Sequence, residues 1–451
     1  MTAGRDGARG DDTRGAGDCG RLAAAEIALV AEQLWPGCAR PDFRAVAGPA
    51  GTTGWVEVER HAVLERGGRI ELILPARRTV AARGLAAYAR LRPMRLRLGR
   101  AALAAALAAG IVRPRAYIAL EARAGGQDGG AHAGGAGGAR DETVVGQLRA
   151  AFGAETDVLV HVRRTANRKA LLQVLDASGR TLGFAKAARD PASSAGIRTE
   201  LAALTELAAL NDSDGDGNGD SRSPCVRTPR VLLQGSSAGL PFVMTEPLPR
   251  GIRAVGRAGS DAPSIAEFAA LAPVARWARP AESGHLARLR SRSEDPGIAR
   301  LEQSELRQRL DELLRCVEAE PDPAPIARRW HGDFAFWNVG RTRDGRLWCW
   351  DFENVDRDAL AGLDAIHWHA SRRRHARGAA GVAERAGILA DAAAVLSAFG
   401  AGGARARVVL YRVYVAEVAA RVLEAAANDG WARVWCAPAE LARLLDAALA
   451  D

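Results

Sequence analysis

Three polar side chains able to hold or move charge, His331, Asp333 and Asn338, fall within HGDFAFWN at 331–338, and a second acidic group follows in WDFE at 350–353. Between them the stretch VGRTRDGRLWC carries Asp344-Gly345, a dipeptide that favours a two-residue hairpin turn. A turn centred there pairs Arg343 with Arg346, Gly340 with Cys349 and Asn338 with Asp351. Residues opposite one another on antiparallel strands hold their Cβ atoms ~5 Å apart on one face, which predicts that Asn338 and Asp351 reach one ion together. An oxygen-only pair of one amide and one carboxylate suits Mg2+, which keeps several waters and completes its shell with phosphate oxygens. Asp333 precedes the hairpin, offset from that pair and free to accept a proton from a substrate hydroxyl.

The order H-x-D-x-x-x-x-N, short hairpin, D-F is that of the kinase catalytic and metal loops. HGDFAFWN with WDFE resembles the aminoglycoside phosphotransferase and choline kinase-like family of small-molecule kinases, with HGD in place of the protein-kinase HRD and DFE in place of DFG. The resemblance covers roughly residues 143 to 375. It implies a two-lobed protein-kinase-like fold, ATP and Mg2+ as cofactors, Asp333 as catalytic base, and Asn338 and Asp351 as magnesium ligands. It also implies that His331 braces the loop, and that Asp364, in the helix start AGLDAIHW, holds the loop backbone by hydrogen bonds. In the strand-rich part it implies that Lys186 reaches the α- and β-phosphates, with Glu200 as its ion-pair partner and Glu206 as the second candidate. MTEPLP at 244–249 then stands as the hinge, the backbone around Thr245 and Glu246 facing adenine. His367 and His369 form an H-x-H without an evident third ligand and are read as core residues. One departure stands out: the loop RRTANRK before the second strand has no glycine where protein kinases place G-x-G-x-x-G. No G-x-x-x-x-G-K-[ST] phosphate loop occurs either.

Lysine usage points to the same strand. Among 62 Lys plus Arg residues only Lys169 and Lys186 are lysines. A chain that uses Arg nearly everywhere keeps Lys where a compact ammonium is needed. Lys169 is read as a strand-edge charge or as a second group leaning over the phosphates.

These residues need elements to position them. TDVLVHVR (156–163), KALLQVL (169–175) and TLGFAK (181–186) alternate as successive antiparallel strands, and Ile197, Leu201, Leu204 and Leu207 repeat at helical spacing after them. RVLLQG and LPFVMTEPLP supply two more strands. Beyond Pro249 the pattern predicts long helices, among them PSIAEFAALAPVARWA, PGIARLEQSELRQRLDELLRCVEAE, GVAERAGILADAAAVLSAF and ARARVVLYRVYVAEVAARVLEAAA. The fold class is therefore α+β, an antiparallel strand lobe followed by a mostly helical lobe, with a ligand cleft between them. An α/β N-terminal extension precedes both and contains the hairpin WVEVERHAVLERGGRIELILP. The domain reading is a disordered tail (1–20), an accessory α/β unit (21–123), a Gly/Ala-rich linker (124–142), the strand lobe (143–246) and the helical lobe (247–451).

At 451 residues, 48% hydrophobic and 25% charged, the chain has globular composition. Its net charge of +9 comes from arginines scattered among acidic residues, which argues for a solvated surface and against a nucleic-acid partner. NDSDGDGNGDSRSP at 211–224 resembles an EF-hand loop but places Ser223 where a bidentate Glu belongs, so it is read as an acidic surface loop and not a calcium site. Six dispersed cysteines form no zinc pattern and suit a reducing compartment. No apolar run reaches the ~18 residues of a membrane span, and the N-terminus lacks a signal-peptide core, so a cytoplasmic protein is expected. The function these features imply is ATP-dependent phosphorylation of a small-molecule hydroxyl. The arginine run SRRRHARG (371–378) leans toward a neutral or anionic, sugar-like acceptor rather than an aminoglycoside. No specific protein partner is inferred. The alternative is a pseudokinase, a nucleotide-binding or scaffolding protein without turnover.

Overall fold

The computed structural model describes residues 24–35, 43–47, 54–67, 69–88, 91, 94–114, 116–123, 142–162, 169–213, 226–255 and 261–450. The expected tail, nearly all of the linker, the glycine-free loop before Lys169 and most of the acidic stretch lie outside these residues.

Alternation of β-branched and small residues builds one nine-stranded sheet. Its strands are β1 (Phe43–Ala47), β2 (Trp55–Arg66), β3 (Arg69–Leu74), β4 (Ala116–Arg123), β5 (Asp157–His161), β6 (Lys169–Leu175) and β7 (Thr181–Ala188). After β8 (Val226–Arg227), which joins a second sheet, β9 (Val231–Ser237) and β10 (Leu240–Thr245) complete it, and β11 (Arg253–Ala254) follows in the second sheet. The order is β1-β4-β2-β3-β5-β6-β7-β10-β9, with every pairing antiparallel. The N-terminal strands continue directly into those around Lys186, because β3 pairs β5 through Leu72 with His161 and Ile73 with Val160.

The period of two divides the sheet's apolar residues between its faces. Ile73, Val158, Val160, Leu172 and Val174 pack with helix α1 (Ala24–Leu34), whereas Leu72, Leu74, Leu159 and Leu175 pack with α2 (Arg78–Ala87) and α3 (Met94–Ala108). On β7, Ala185 and Ala187 belong to the first of these cores. Lys186 therefore points to the opposite face, where Ala188 and Val243 meet Ile197 of the long helix that follows β7. With α4 (Val144–Phe152) capped by the Thr143 side chain on the Gly146 N–H, that long helix is α5 (Pro191–Ser213).

The remainder is mostly helical and shares one large core around Trp330, Phe334, Phe352, Trp368 and Tyr411. Two of the expected long helices are shorter than the periodicity predicts. Pro273 ends the first, so Ile265–Leu271 is helix α6 and VARWA turns into strand β12 (Val274–Ala278). The second divides at Arg300, giving Pro296–Ala299 and Ser304–Glu318. β12 pairs with β13 (Ala324–Trp330), which delivers the chain to His331. The hairpin of β14 (Val339–Arg341) and β15 (Leu347–Cys349) follows, then β16 (Asp356–Leu360) against β13. The chain is thus α+β with an antiparallel main sheet. No helix among the described residues is long and apolar enough to cross a membrane.

Candidate active site

The loop after β13 is held from beneath by backbone hydrogen bonds. Helix Leu363–Arg377 starts at Gly362, and the Asp364 carboxylate in its first turn accepts from the N–H of His331 at 2.9 Å and of Gly332 at 3.3 Å. Burial pushes the Asp364 carboxyl up to about 7, against the lowering effect of those two N–H donors. Arg421, on the long helix Ala404–Asp429, donates to the Gly332 carbonyl at 2.7 Å. Gly332 has φ of 80°, and a Cβ there would collide with the Asn354 carbonyl, so glycine is required on both counts. The His331 ring lies 3.1 Å from the Trp350 carbonyl through Nε2, while Nδ1 accepts from the Asp333 N–H at 3.2 Å. Those partners assign the hydrogen to Nε2 of a neutral ring. Burial depresses the imidazole to about 4, which keeps it neutral.

Asp333 itself is fixed at both carboxylate oxygens. His367 Nε2 is 3.0 Å from Oδ1, and Asn338 Nδ2 donates at 2.8 Å to Oδ2 and at 3.0 Å to the Asp333 carbonyl. Burial would raise the Asp333 carboxyl, but the hydrogen bond from His367 outweighs it and holds the group below its ordinary value. Burial also lowers the His367 imidazole, with Asp333 opposing. We assign an ionised Asp333 accepting from a neutral His367. The expectation that His367 is a core residue is corrected here: the ring is buried, but it is aimed at the Asp333 carboxylate.

A second group of charges lies between the main sheet and the residues after β15. Lys186 Nζ is 2.6 and 2.7 Å from the two Glu200 oxygens and 2.6 Å from Asp351 Oδ1. Burial opposes its charge, but Asp351 and then Glu200 raise its pKa. Asp351 is held well below the usual carboxylate range: burial would raise it, and Lys186 followed by Lys169 more than compensate. Lys169, 8% exposed, forms an ion pair with Glu353 and lies 4.0 Å from Asp351 Oδ1. Both lysines of the chain therefore face one carboxylate, and the edge-charge reading of Lys169 gives way to a site position. Asp351 sits in the left-handed region at φ 71° and ψ 56°, a conformation uncommon outside glycine and concentrated where the surroundings fix a functional side chain. Glu200, Asp351 and Glu353 each offer an oxygen within 4.8 Å of the others.

The hairpin register differs from the expected one. Val339 pairs Cys349, Gly340 pairs Trp348 and Arg341 pairs Leu347. The connection is a three-residue loop closed by the Thr342 N–H on the Arg346 carbonyl. Only Gly345 takes positive φ, at 85°, whereas a two-residue turn of the expected kind needs it at Asp344 as well. The one-residue shift sets Asn338 opposite Trp350, whose N–H donates to the Asn338 carbonyl, and moves Asp351 one position beyond. Asn338 and Asp351 are therefore not a facing pair, and the Asn338 amide N–H is turned to Asp333.

Other expected residues separate. Glu206 is engaged with Arg329 and Arg357, away from Lys186. Thr245 is in register with Phe184 and Val231. The Glu246 N–H is taken by the Arg230 carbonyl and its carboxylate by the Arg230 side chain, so that N–H is committed rather than open to a base. His369 faces Asp391 at 3.9 Å. The residues that sequence reasoning missed are Glu353 and Arg421 as supports, and His367 as a partner of Asp333. The helical distance from Asp364 to His367, three residues and nearly one turn, was the available signal for the last.

No protein-family model matches the chain, and a search of curated proteins finds no match. Among solved structures the chain is similar to an aminoglycoside phosphotransferase of Streptomyces rimosus, APH(3'')-Id, at 17% identity and a TM-score of 0.36, covering 60% of this chain and 95% of that one. The same enzyme in complex with ADP and streptomycin matches at 18% identity and a TM-score of 0.35 over the same shares.

Proposed function

We propose that the protein transfers the γ-phosphoryl group of ATP to a hydroxyl of a small, sugar-like molecule that is neutral or anionic rather than an aminoglycoside. In this reading residues 143–246 and 247–451 are the two lobes of a kinase-like fold, preceded by the accessory unit 21–123, and the nucleotide lies between the lobes. The observation that carries it is the Lys186 ammonium bridging Glu200 of α5 and Asp351, the contact a kinase needs to position phosphates. Asp333 is the general base: it is ionised, fixed by His367 and Asn338, and pairs with no Lys or Arg among the described residues. It orients the acceptor hydroxyl and takes its proton as the oxygen attacks phosphorus. Lys186 and Lys169 hold the transferring phosphates, the latter after leaving Glu353.

The donor set fits magnesium, since Asp351, Glu353 and the Asn338 side-chain carbonyl are hard oxygen ligands. Asp351 and Asn338 would hold the ion, with Glu353 beside Asp351, and when bound it would neutralise charge on the phosphates. Buried thiols at Cys349 and Cys436 without a disulfide suit the cytoplasm.

Consumption of ATP by the full chain with a panel of hydroxylated metabolites tests the proposal. Turnover should fall by about 10³-fold or more in Asp333→Asn, while magnesium-nucleotide affinity stays within about twofold. A pseudokinase would bind nucleotide and turn over in neither form, and that result would discard the enzyme reading.

A further inference from the structure

The Asp333 side of the site has a cationic wall with an unusual mounting. His367 and Arg374 are seven residues apart on the helix Leu363–Arg377, two turns along one face. Arg374 is held by aromatic rings: its guanidinium carbon lies 5.3 Å from the centroid of Trp337 and 4.6 Å from that of Trp435. Trp337 immediately precedes Asn338, the residue that bonds Asp333. Trp435 is 46% exposed, so the clamp opens to solvent. No carboxylate among the described residues pairs with the Arg374 side chain, whereas its neighbours Arg373 and Arg377 are both tied to Glu384, and Arg373 to Asp391 as well. The charge of Arg374 is felt at His367 and Tyr414, together with that of Arg421.

A guanidinium lying over two indole rings is held there by cation–π attraction, and its planar fork of N–H groups matches a planar or tetrahedral oxyanion. A polycationic acceptor would meet the Arg374 charge here and gain nothing from it, Arg421 being paired with Glu417. We infer that Arg374, set between Trp337 and Trp435, selects the acceptor, and that the acceptor is a hydroxylated molecule bearing an anionic group, a carboxylate or a phosphate. This rests on the phosphotransfer reading for the word acceptor, but the anion preference is measurable without turnover.

Calorimetric titration of the full chain with glucose, glucuronate, glucose 6-phosphate and streptomycin, at fixed ionic strength, separates the cases. At least one of the two anionic sugars should bind about 10-fold tighter than glucose, and Arg374→Gln should bring it to within about twofold of glucose. Glucuronate against glucose 6-phosphate decides between carboxylate and phosphate. Arg372→Gln, on another side of the same helix, should leave the preference intact. Arg374→Lys keeps charge without the planar fork and should give an intermediate loss, which guards against a variant that merely misfolds. In steady state with the preferred anionic sugar, Arg374→Gln should raise KM about 10-fold with kcat within about twofold. The inference is overturned if neither anion binds, if glucose or streptomycin binds as tightly as both, or if the preference survives Arg374→Gln. An Arg374-dependent preference without any ATP turnover would instead sink the transfer reading and leave Arg374 as an anion site.

Discussion

The two halves of the candidate site are built from different physics. Around Asp351, full charges of opposite sign meet across segments far apart in the chain: Lys169 and Lys186 from the sheet, Glu200 from α5, Glu353 from the turn after β15. Around Asp333, neutral groups do the holding, with His367, Asn338 and the loop's own backbone supplying hydrogen bonds. Compensated ion pairs can exchange partners when phosphates and a cation enter, because each lysine finds a new anion as it leaves the old one. A carboxylate fixed by neutral donors keeps its negative charge uncompensated, which is what a base awaiting a hydroxyl proton requires. In the proposed reading the first half binds and the second does the chemistry.

Breaking the ammonium half should have the largest effect. Lys186→Met leaves Glu200 and Asp351 facing each other without their shared cation, and kcat/KM for ATP should drop by about 10²-fold or more, through nucleotide affinity as well as rate. Equal affinity for Mg-ATP in the variant would show that Lys186 is only structural. Changing the neutral half at His367 should act more gently and through pH. The His367 hydrogen bond lowers the Asp333 pKa, so His367→Leu should raise it, move the acid limb of the kcat/KM profile up by about one unit, and cut the plateau about 10-fold. An unmoved acid limb would mean that Asp333 is not the titrating base.

The smallest effect concerns stability. His331 has its folded-state pKa depressed from 6.5 to about 4 by burial. The unfolded chain therefore binds the extra proton first, and the neutral ring's contribution, full above pH 6.5, is lost as pH falls toward 4. Between pH 7.5 and 5 this amounts to about 2 kcal/mol. His331→Gln should show a pH dependence of unfolding free energy flatter by about that amount over the same interval, measured by denaturant titration. Parallel curves would place the linkage elsewhere.

Local chemistry in the sequence was enough for several of these groups. His331, Gly332, Asp333 and Asn338 fall within eight residues, so their loop could be read from spacing, and the rarity of lysine marked Lys186 and Lys169. Alternation over β5 to β7 and the apolar repeat in α5 likewise follow from periods of 2 and 3.6 that side chains impose on the backbone. What spacing could not supply was the hairpin register, because Asp344-Gly345 serves a two-residue and a three-residue loop alike, and the longer loop found here moves Asp351 away from Asn338. The end of the helix at Pro273 was written in the chain, yet the strand after it depends on β13 lying alongside. His367 shows the same division: its helical position is local, but whether a buried imidazole packs or aims at a carboxylate depends on Asp333, 34 residues earlier, and only long-range packing brings those two together. Residue type and period were settled by the sequence, since they act within a turn or a strand; partnership was settled by tertiary structure, since hydrogen bonds and ion pairs are made between segments whose meeting no local preference encodes.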